Sequence, residues 1–575
     1  MSLWKKALFV LFLAGLVSNC DSDDEADLAV NDRFSTTGTV HKLTTVTSEI
    51  SITDGAAGAK YLVFPYAVGD TSGDNPVEGG DANTTLTFTV EATAGASLTK
   101  APEAPAKLSQ VISGYHFDRE IRSLINRFDP ENEGHWDAVR KLDSWVVTDG
   151  PYSSFGFVER PSLEHSFRAM ANRPKKEKLE IRGANLTAAT CAAVDEVSGA
   201  STDLLDPDTM SVFAGDDYCL YYPTSGVTTV TDLELIKTGI AKSMSLYKTV
   251  IYNDSFAKTN GDYKFVPYIV VQNYGTDAWG SNPDVSGFFI ESLTTEDNYR
   301  PTIIVASDQS KVSAETDALK LQEFFHSTVS HELQHAIMHY YRYVNGLELD
   351  ATQYDEGVAH YMEDVFGYGE VNFPIYSQNF LSLYFSEIGG PVLPSISGTG
   401  SAAERGAGHA LFHYLVSQKG GVTFGSDGYV NGGTGLDFIR SYVAGTMRNI
   451  KGVTAAYGGD WTTVIGQYLG ALAIDGASTL NPEDAYKVQT PETSVTNSIG
   501  ETGKTFGMRF RNHLTLPDFN DAIANGTKLS GAVTLELQNY QTRPLLLELT
   551  AAEATIKVTM VQVYTNAGLT VVRYE

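Results

Sequence analysis

The sequence predicts an α+β molecule: a central unit in which an α/β lobe leads into a helical lobe, flanked by small all-β domains. Three observations carry this. Residues 34–105 and 505–575 alternate at strand period, at Leu86, Phe88 and Val90, at Val533, Leu535 and Leu537, and at Ile556, Val558 and Met560. Turn signals at Asp54-Gly55, Gly79-Gly80 and Asn566-Ala567-Gly568 break those runs. Between them, residues 315–343 hold no Gly or Pro, and apolar residues recur at Leu319, Leu321, Phe324, Phe325, Val329, Leu333, Ile337 and Met338. That is the spacing of a buried helix of several turns.

The remaining boundaries follow from composition. Residues 1–19 form a targeting segment, with a basic pair at Lys5-Lys6 and an apolar run over 7–17 that is too short to span a bilayer. It closes on Val17-Ser18-Asn19-Cys20, which resembles a bacterial lipobox with Asn19 in place of the usual small residue. Diacylation of Cys20 would tether the mature chain to a membrane surface at the cell envelope, on its periplasmic or cell-surface face. Residues 20–33, opening on Asp21-Ser22-Asp23-Asp24-Glu25, then make a solvated acidic spacer. A linker follows the first β-domain at 101–105, and 106–185 is a mixed region with a helix over 118–128 and a solvated basic loop at 173–178. The central unit, 186–480, carries strands at 265–272 and 302–306, a helix over 232–251, and later helices at 436–443 and 461–474.

Charge and cysteine content narrow the function. A net charge of −29 without a basic patch excludes nucleic acid as a partner. With Cys20 assigned to lipid, Cys191 and Cys219 remain, and in an exported chain they read as one disulfide. Closing a loop of that length contributes about 3 kcal/mol by chain entropy.

The residues that name a chemistry are His331-Glu332-Leu333-Gln334-His335. On a helix, imidazoles four apart share one face and can share a zinc ion, with Glu332 beside it as the base that takes a proton from water. Seven of the 12 histidines fall between His326 and His413. His326 and His339 read as packing or surface residues. A third protein ligand is required. Met338 and Tyr341 exclude the pattern that would place a Gly and a His there. A carboxylate on a second helix is the alternative: Glu356 is 21 residues after His335, and Glu348, in a turn-like stretch after Gly346, competes with it.

The segments Phe325 to His335 and Asp355-Glu356-Gly357-Val358-Ala359 resemble the hyicolysin-type zinc metallopeptidases, a bacterial gluzincin family reading roughly F-x-S-T-x-A-H-E-x-Q-H and then N-E-G-x-A-x-Y-x-E. Asp355 and Ser330 depart from that pattern. The resemblance spans residues 190–475 and implies His331, His335 and Glu356 as zinc ligands, Glu332 as catalytic base, and zinc held between the two lobes. It also implies a carboxylate one turn past the ligand Glu to fix the first histidine. His360 occupies that place, so Glu363 or Asp364 must serve. The helix from Arg405 to Leu415 resembles a later family helix, with Arg405 where Tyr is common. His409 is the first candidate for an oxyanion stabiliser and Tyr376 the second. Strand 302–306 is expected to line the cleft and pair with an extended peptide.

These readings converge on an exported, lipid-anchored zinc endopeptidase acting on proteins or peptides. The rival is a surface adhesion lipoprotein carrying a catalytically idle peptidase scaffold. An aminopeptidase would need an acidic anchor for a free amine, and none has a signature.

Overall fold

The structure is a computed structural model. It describes residues 40–43, 50–52, 60–67, 86–92, 96–100, 191, 210–223, 233–253, 265–272, 287–290, 301–307, 309, 316–344, 352–369, 402–447, 449–475, 484–490, 492–510, 527–529, 533–537, 542, 545–549, 556–560 and 567–573. Expectations at 1–33 (Cys20 included), 101–105, 118–128, 173–178, Glu348 and Tyr376 lie outside these residues.

Five strands come first: β1 (Val40–Leu43), β2 (Ile50–Ile52), β3 (Lys60–Ala67), β4 (Leu86–Ala92) and β5 (Ala96–Lys100). The central unit then opens with β6 (Met210–Ala214), β7 (Cys219–Pro223) and helix α1 (Leu233–Leu246), which one π turn extends over Tyr247–Ile251. Next come β8 (Tyr268–Gln272), β9 (Gly287–Ile290) and β10 (Thr302–Ala306). These form a sheet of order β6-β7-β8-β10-β9, parallel from β7 to β10 and antiparallel at both edges. Cys191 is disulfide-bonded to Cys219 at the start of β7.

Strand β10, Thr-Ile-Ile-Val-Ala, is buried along its whole length. A strand apolar on both faces belongs inside a sheet. It bonds β8 on one side and β9 on the other, so it has no free edge to offer a peptide. The expectation that 302–306 lines the cleft is therefore corrected: among the described residues the edge next to it is β9.

The helical lobe is organised around α2 (Ala318–Val344). Asp317 caps it, its carboxylate accepting from the amides of Leu319 and Lys320 at 3.0 Å. From Leu321 to Arg342 every residue is buried, so α2 is a central helix enclosed by neighbours rather than a surface helix. Its polar groups are met one by one, as burial requires. Tyr247 donates to Ser330 O at 2.8 Å and Tyr252 to Gln334 Oε1 at 2.9 Å. Arg342 donates to Gly445 O at 2.7 Å and Met447 O at 2.9 Å. His326 is wholly buried against Gly239 of α1, and His339 lies 5.3 Å from the Phe289 ring, so both are packing residues.

Helix α3 (Thr352–Val365) packs on α2, and α4 (Ala402–Gln418) on α3. A Cβ at Gly357 would stand 2.7 Å from the Gly408 carbonyl carbon, so the two helices cross backbone to backbone. Only glycine permits that approach. A short hairpin, β11 (Thr423–Phe424) and β12 (Val430–Gly432), leads to α5 (Gly435–Val443), α6 (Asn449–Tyr457) and α7 (Trp461–Ile474). Asp460 caps α7 through the amides of Thr462 and Thr463. The hairpin β13 (Thr493–Val495) with β14 (Lys504–Phe506) closes the unit, and Asn497 Nδ2 donates to the buried Glu323 of α2 at 2.8 Å. The central unit thus continues past residue 480 to about Phe510.

The last strands are β15 (Thr527–Leu529), β16 (Val533–Leu537), β17 (Leu545–Leu549), β18 (Ile556–Met560) and β19 (Ala567–Arg573). They do not form a second domain. They interleave with the first five in two sheets, ordered β1-β19-β3-β17-β5-β15 and β16-β4-β18-β2. The expectation of separate β-domains at 34–105 and 505–575 is corrected to one unit built from both. The physical reason is edge satisfaction: β3 takes β17 on one side and β19 on the other, partners its own segment does not supply. The expected turn at 566–568 is corrected too, since Ala567 and Gly568 open β19, and β18 lies in the other sheet.

This β unit docks on α7. Leu62, Phe64, Tyr66 and Val572 alternate onto the face that joins the helical core. Tyr66 donates to Thr462 O and Thr570 to Gly466 O, both at 2.9 Å. Among the described residues no helix is long and apolar enough to cross a membrane.

Candidate metal centre

Two helices supply the site. On α2, His331 and His335 are one turn apart and their Nε2 atoms lie 3.0 Å from each other. On α3, Glu356 brings Oε2 to 3.1 Å from His331 Nε2 and Oε1 to 3.6 Å from His335 Nε2. Tetrahedral zinc with bonds of about 2.1 Å separates its ligand atoms by roughly 3.4 Å. The observed 3.0, 3.1 and 3.6 Å, the last two to different oxygens of Glu356, lie near that value, so the group could hold a metal ion of this size.

The opposite ring nitrogens are tied down. His331 Nδ1 donates to Glu363 Oε1 at 2.6 Å, and Glu363 Oε2 accepts from Ser327 Oγ at 2.6 Å. His335 Nδ1 is 2.9 Å from Asp355 Oδ2. A carboxylate beside Nδ1 favours the tautomer that leaves Nε2 facing the cluster and raises its basicity. The carboxylate needed two turns past Glu356 is Glu363, while Asp364 faces elsewhere. Asp355, where the resembling family has Asn, serves His335.

Electrostatics favour positive charge at the centre. Burial disfavours a charged His331, but Glu356 and Glu363 outweigh it and raise its pKa well above the usual histidine range. Burial likewise opposes charge on Glu356, yet Arg405 first, then His335 and His331, hold that carboxyl well below its usual value. Glu363 is also opposed by burial and is held down to about 2 by His331 and His360. A field that stabilises a proton on these imidazoles also stabilises a divalent cation in its place. Glu332 follows His331 on α2 and is 7% exposed, nearly as buried as the ligands.

Three neighbours had no assigned role in the sequence. His360 stands on α3 one turn after Glu356, with Nδ1 donating to Glu363 Oε1 at 2.8 Å and Nε2 3.7 Å from Glu356 Oε2. Arg405, near the start of α4, reaches Glu356 Oε1 at 3.3 Å and keeps a fifth of its side chain exposed. His413 shares Asp364 with His409.

His409 Nε2 donates to Asp364 Oδ2 at 2.6 Å, and its ring meets His360 at 5.7 Å and His413 at 5.0 Å. That contact sets the ring from α3 and by itself neither assigns nor removes the oxyanion role expected of it. The group on α4 that reaches the centre is Arg405. Its signal in the sequence was its position, where the resembling family has a Tyr.

A comparison with known protein-family models finds no match for this chain, and no curated protein matches it.

Proposed function

We propose that the protein is an exported, lipid-anchored zinc endopeptidase that hydrolyses internal bonds of proteins or peptides. One observation supports the reading: His331 Nε2, His335 Nε2 and the Glu356 carboxylate approach within 3.0 to 3.6 Å, with Glu332 the next residue after His331 on α2. Zinc, when bound, supplies Lewis acidity at the scissile carbonyl and lowers the pKa of the attacking water. Glu363 and Asp355 hold the two imidazoles with Nε2 facing inward. Glu332 accepts a proton from the attacking water and passes it to the leaving nitrogen. Arg405, 3.3 Å from Glu356 Oε1, keeps that carboxylate ionised and in place as a ligand. Strand β9, the edge of its sheet among the described residues, accepts an extended peptide by backbone hydrogen bonds. Export and tethering rest on the targeting segment and Cys20, with the acidic spacer holding the folded unit off the membrane.

The direct test is cleavage of an unfolded protein substrate by zinc-loaded protein, compared with Glu332→Gln at equal zinc content. Activity in the native chain and its loss in the variant are expected. For the anchor, Cys20→Ala is expected to move the protein from the membrane fraction to the soluble one.

A further inference from the structure

A second group of metal-type ligands lies deeper in the helical lobe. His409 and His413 are one turn apart on α4, so both imidazoles leave the same face of the helix. Their Nε2 atoms meet one carboxylate oxygen, Asp364 Oδ2 on α3, at 2.6 Å for His409 and closer still for His413. All three side chains are buried, none more than 5% exposed. Two imidazoles at i and i+4 with a carboxylate from a neighbouring helix is the same donor logic as His331, His335 and Glu356.

The surroundings are shaped around this carboxylate. A Cβ at residue 369 would lie 1.1 Å from Asp364 Oδ1, so the acid occupies space that only Gly369 leaves open. The backbone crossing of Gly357 and Gly408 brings α3 and α4 close enough for Asp364 to reach both histidines. Tyr361 and Phe506 lie against the His413 ring, at 4.8 and 5.9 Å, and exclude bulk water from that side. Burying one carboxylate with two imidazoles removes three strongly hydrated groups from water. A divalent ion coordinated by all three compensates for that desolvation directly. Zinc requires ligand separations of about 3.4 Å, so loading opens this cluster, now at 2.6 Å for His409, by most of an ångström.

The geometry points to a second metal site, formed by Asp364, His409 and His413, that takes a zinc-class divalent ion and fastens α4 to α3. Nitrogen-rich donors with one carboxylate select zinc, cobalt or nickel over magnesium or calcium. The ion is structural: Glu332 is on α2, and this cluster joins α3 to α4. By holding α4 it holds Arg405 against Glu356. The inference is independent of the peptidase reading, because its ligands are distinct from His331, His335 and Glu356.

The test counts metal on the full-length protein. Metal-free protein is equilibrated with Zn2+ and, separately, Co2+, and bound metal is measured for native, Asp364→Asn and the double variant His331→Ala/His335→Ala. Two equivalents in the native protein and one in each variant are expected, with the Co2+ absorption of the double variant abolished by adding Asp364→Asn. One native equivalent that Asp364→Asn removes upholds this site and fails the peptidase centre instead. One native equivalent that Asp364→Asn retains, or no metal at all, overturns the proposal and leaves a hydrogen-bonded triad. A second variant guards against misfolding: with one native equivalent, the Co2+ absorption that survives in folded His331→Ala/His335→Ala assigns the ion to Asp364, His409 and His413, and its loss there overturns the proposal.

Discussion

Two clusters of like composition stand on either side of α3 and are wired in opposite ways. In the His331–His335–Glu356 cluster each imidazole has its Nδ1 on a carboxylate, which frees Nε2 to face its neighbours at 3.0 to 3.6 Å. In the Asp364–His409–His413 cluster both Nε2 atoms close directly on one oxygen. The first is held open by a surrounding shell of acids. The second is drawn shut by its own acid. Adjacent residues divide these tasks: Glu363 supports the first cluster and Asp364 forms the second. The difference teaches that histidine and carboxylate content does not define a reactive site; what decides it is which ring nitrogen the protein has already committed.

The comparison breaks most visibly at the ligands. Glu356→Gln is expected to lower peptidase activity by about three orders of magnitude or more, as removal of a catalytic metal's ligand does, while the Asp364 cluster keeps its metal. Activity assays paired with metal analysis read both. Arg405→Gln comes next: without the cation that holds Glu356 ionised, zinc affinity is expected to fall by about 10- to 100-fold, with activity restored by added zinc. Activity lost at saturating zinc would show that Arg405 acts on substrate instead.

Glu363→Gln sharpens the wiring argument. Removing the charged acceptor on His331 Nδ1 is expected to weaken zinc by about 10- to 100-fold, with activity restored by added zinc. Titration of activity against free zinc measures it. Gly357→Ala tests the crossing that separates the clusters. A methyl 2.7 Å from Gly408 forces α3 and α4 apart, at a cost of about 1–3 kcal/mol in denaturant unfolding.

The smallest effect concerns a histidine in neither cluster. His326 has no acid partner to set against its burial, which pushes its pKa down to about 3. Its folded pKa lies below the unfolded value, so the stability it contributes is complete above about pH 6.5 and is lost as pH falls toward 3. Its share of the slope is up to about 1.4 kcal/mol per pH unit in that window. His326→Leu is expected to flatten the fall of unfolding free energy between pH 6.5 and 5 relative to native protein.

Much of this was legible in the chain. Residues 315–343 foretold α2 to within a few positions, because local periodicity and the absence of Gly and Pro set a buried helix. Strand 302–306 was placed correctly, but whether a strand is central or an edge depends on partners that no local pattern encodes. The two β regions looked like separate domains for the same reason: alternation at Leu86–Val90 and Val533–Leu537 gives strands, and pairing across more than 400 residues is not written in either. In the site, spacing pointed to His331, His335 and Glu356, which the structure brings within 3.0 to 3.6 Å of one another. For His409 the orienting partner is Asp364, an acid on another helix that no local pattern encodes. The interval of four to His413 was the available signal, the same interval that marks His331 and His335.

The central claim is tested most directly by one pair of assays on zinc-loaded protein: hydrolysis of an unfolded protein substrate by the native chain and by Glu332→Gln, with zinc content measured on both. The account predicts that the variant retains its zinc and loses activity by at least about 10²-fold, the scale of a positioned general base. Native protein that holds zinc and cuts nothing, or a variant that cuts as fast as the native chain, would contradict it.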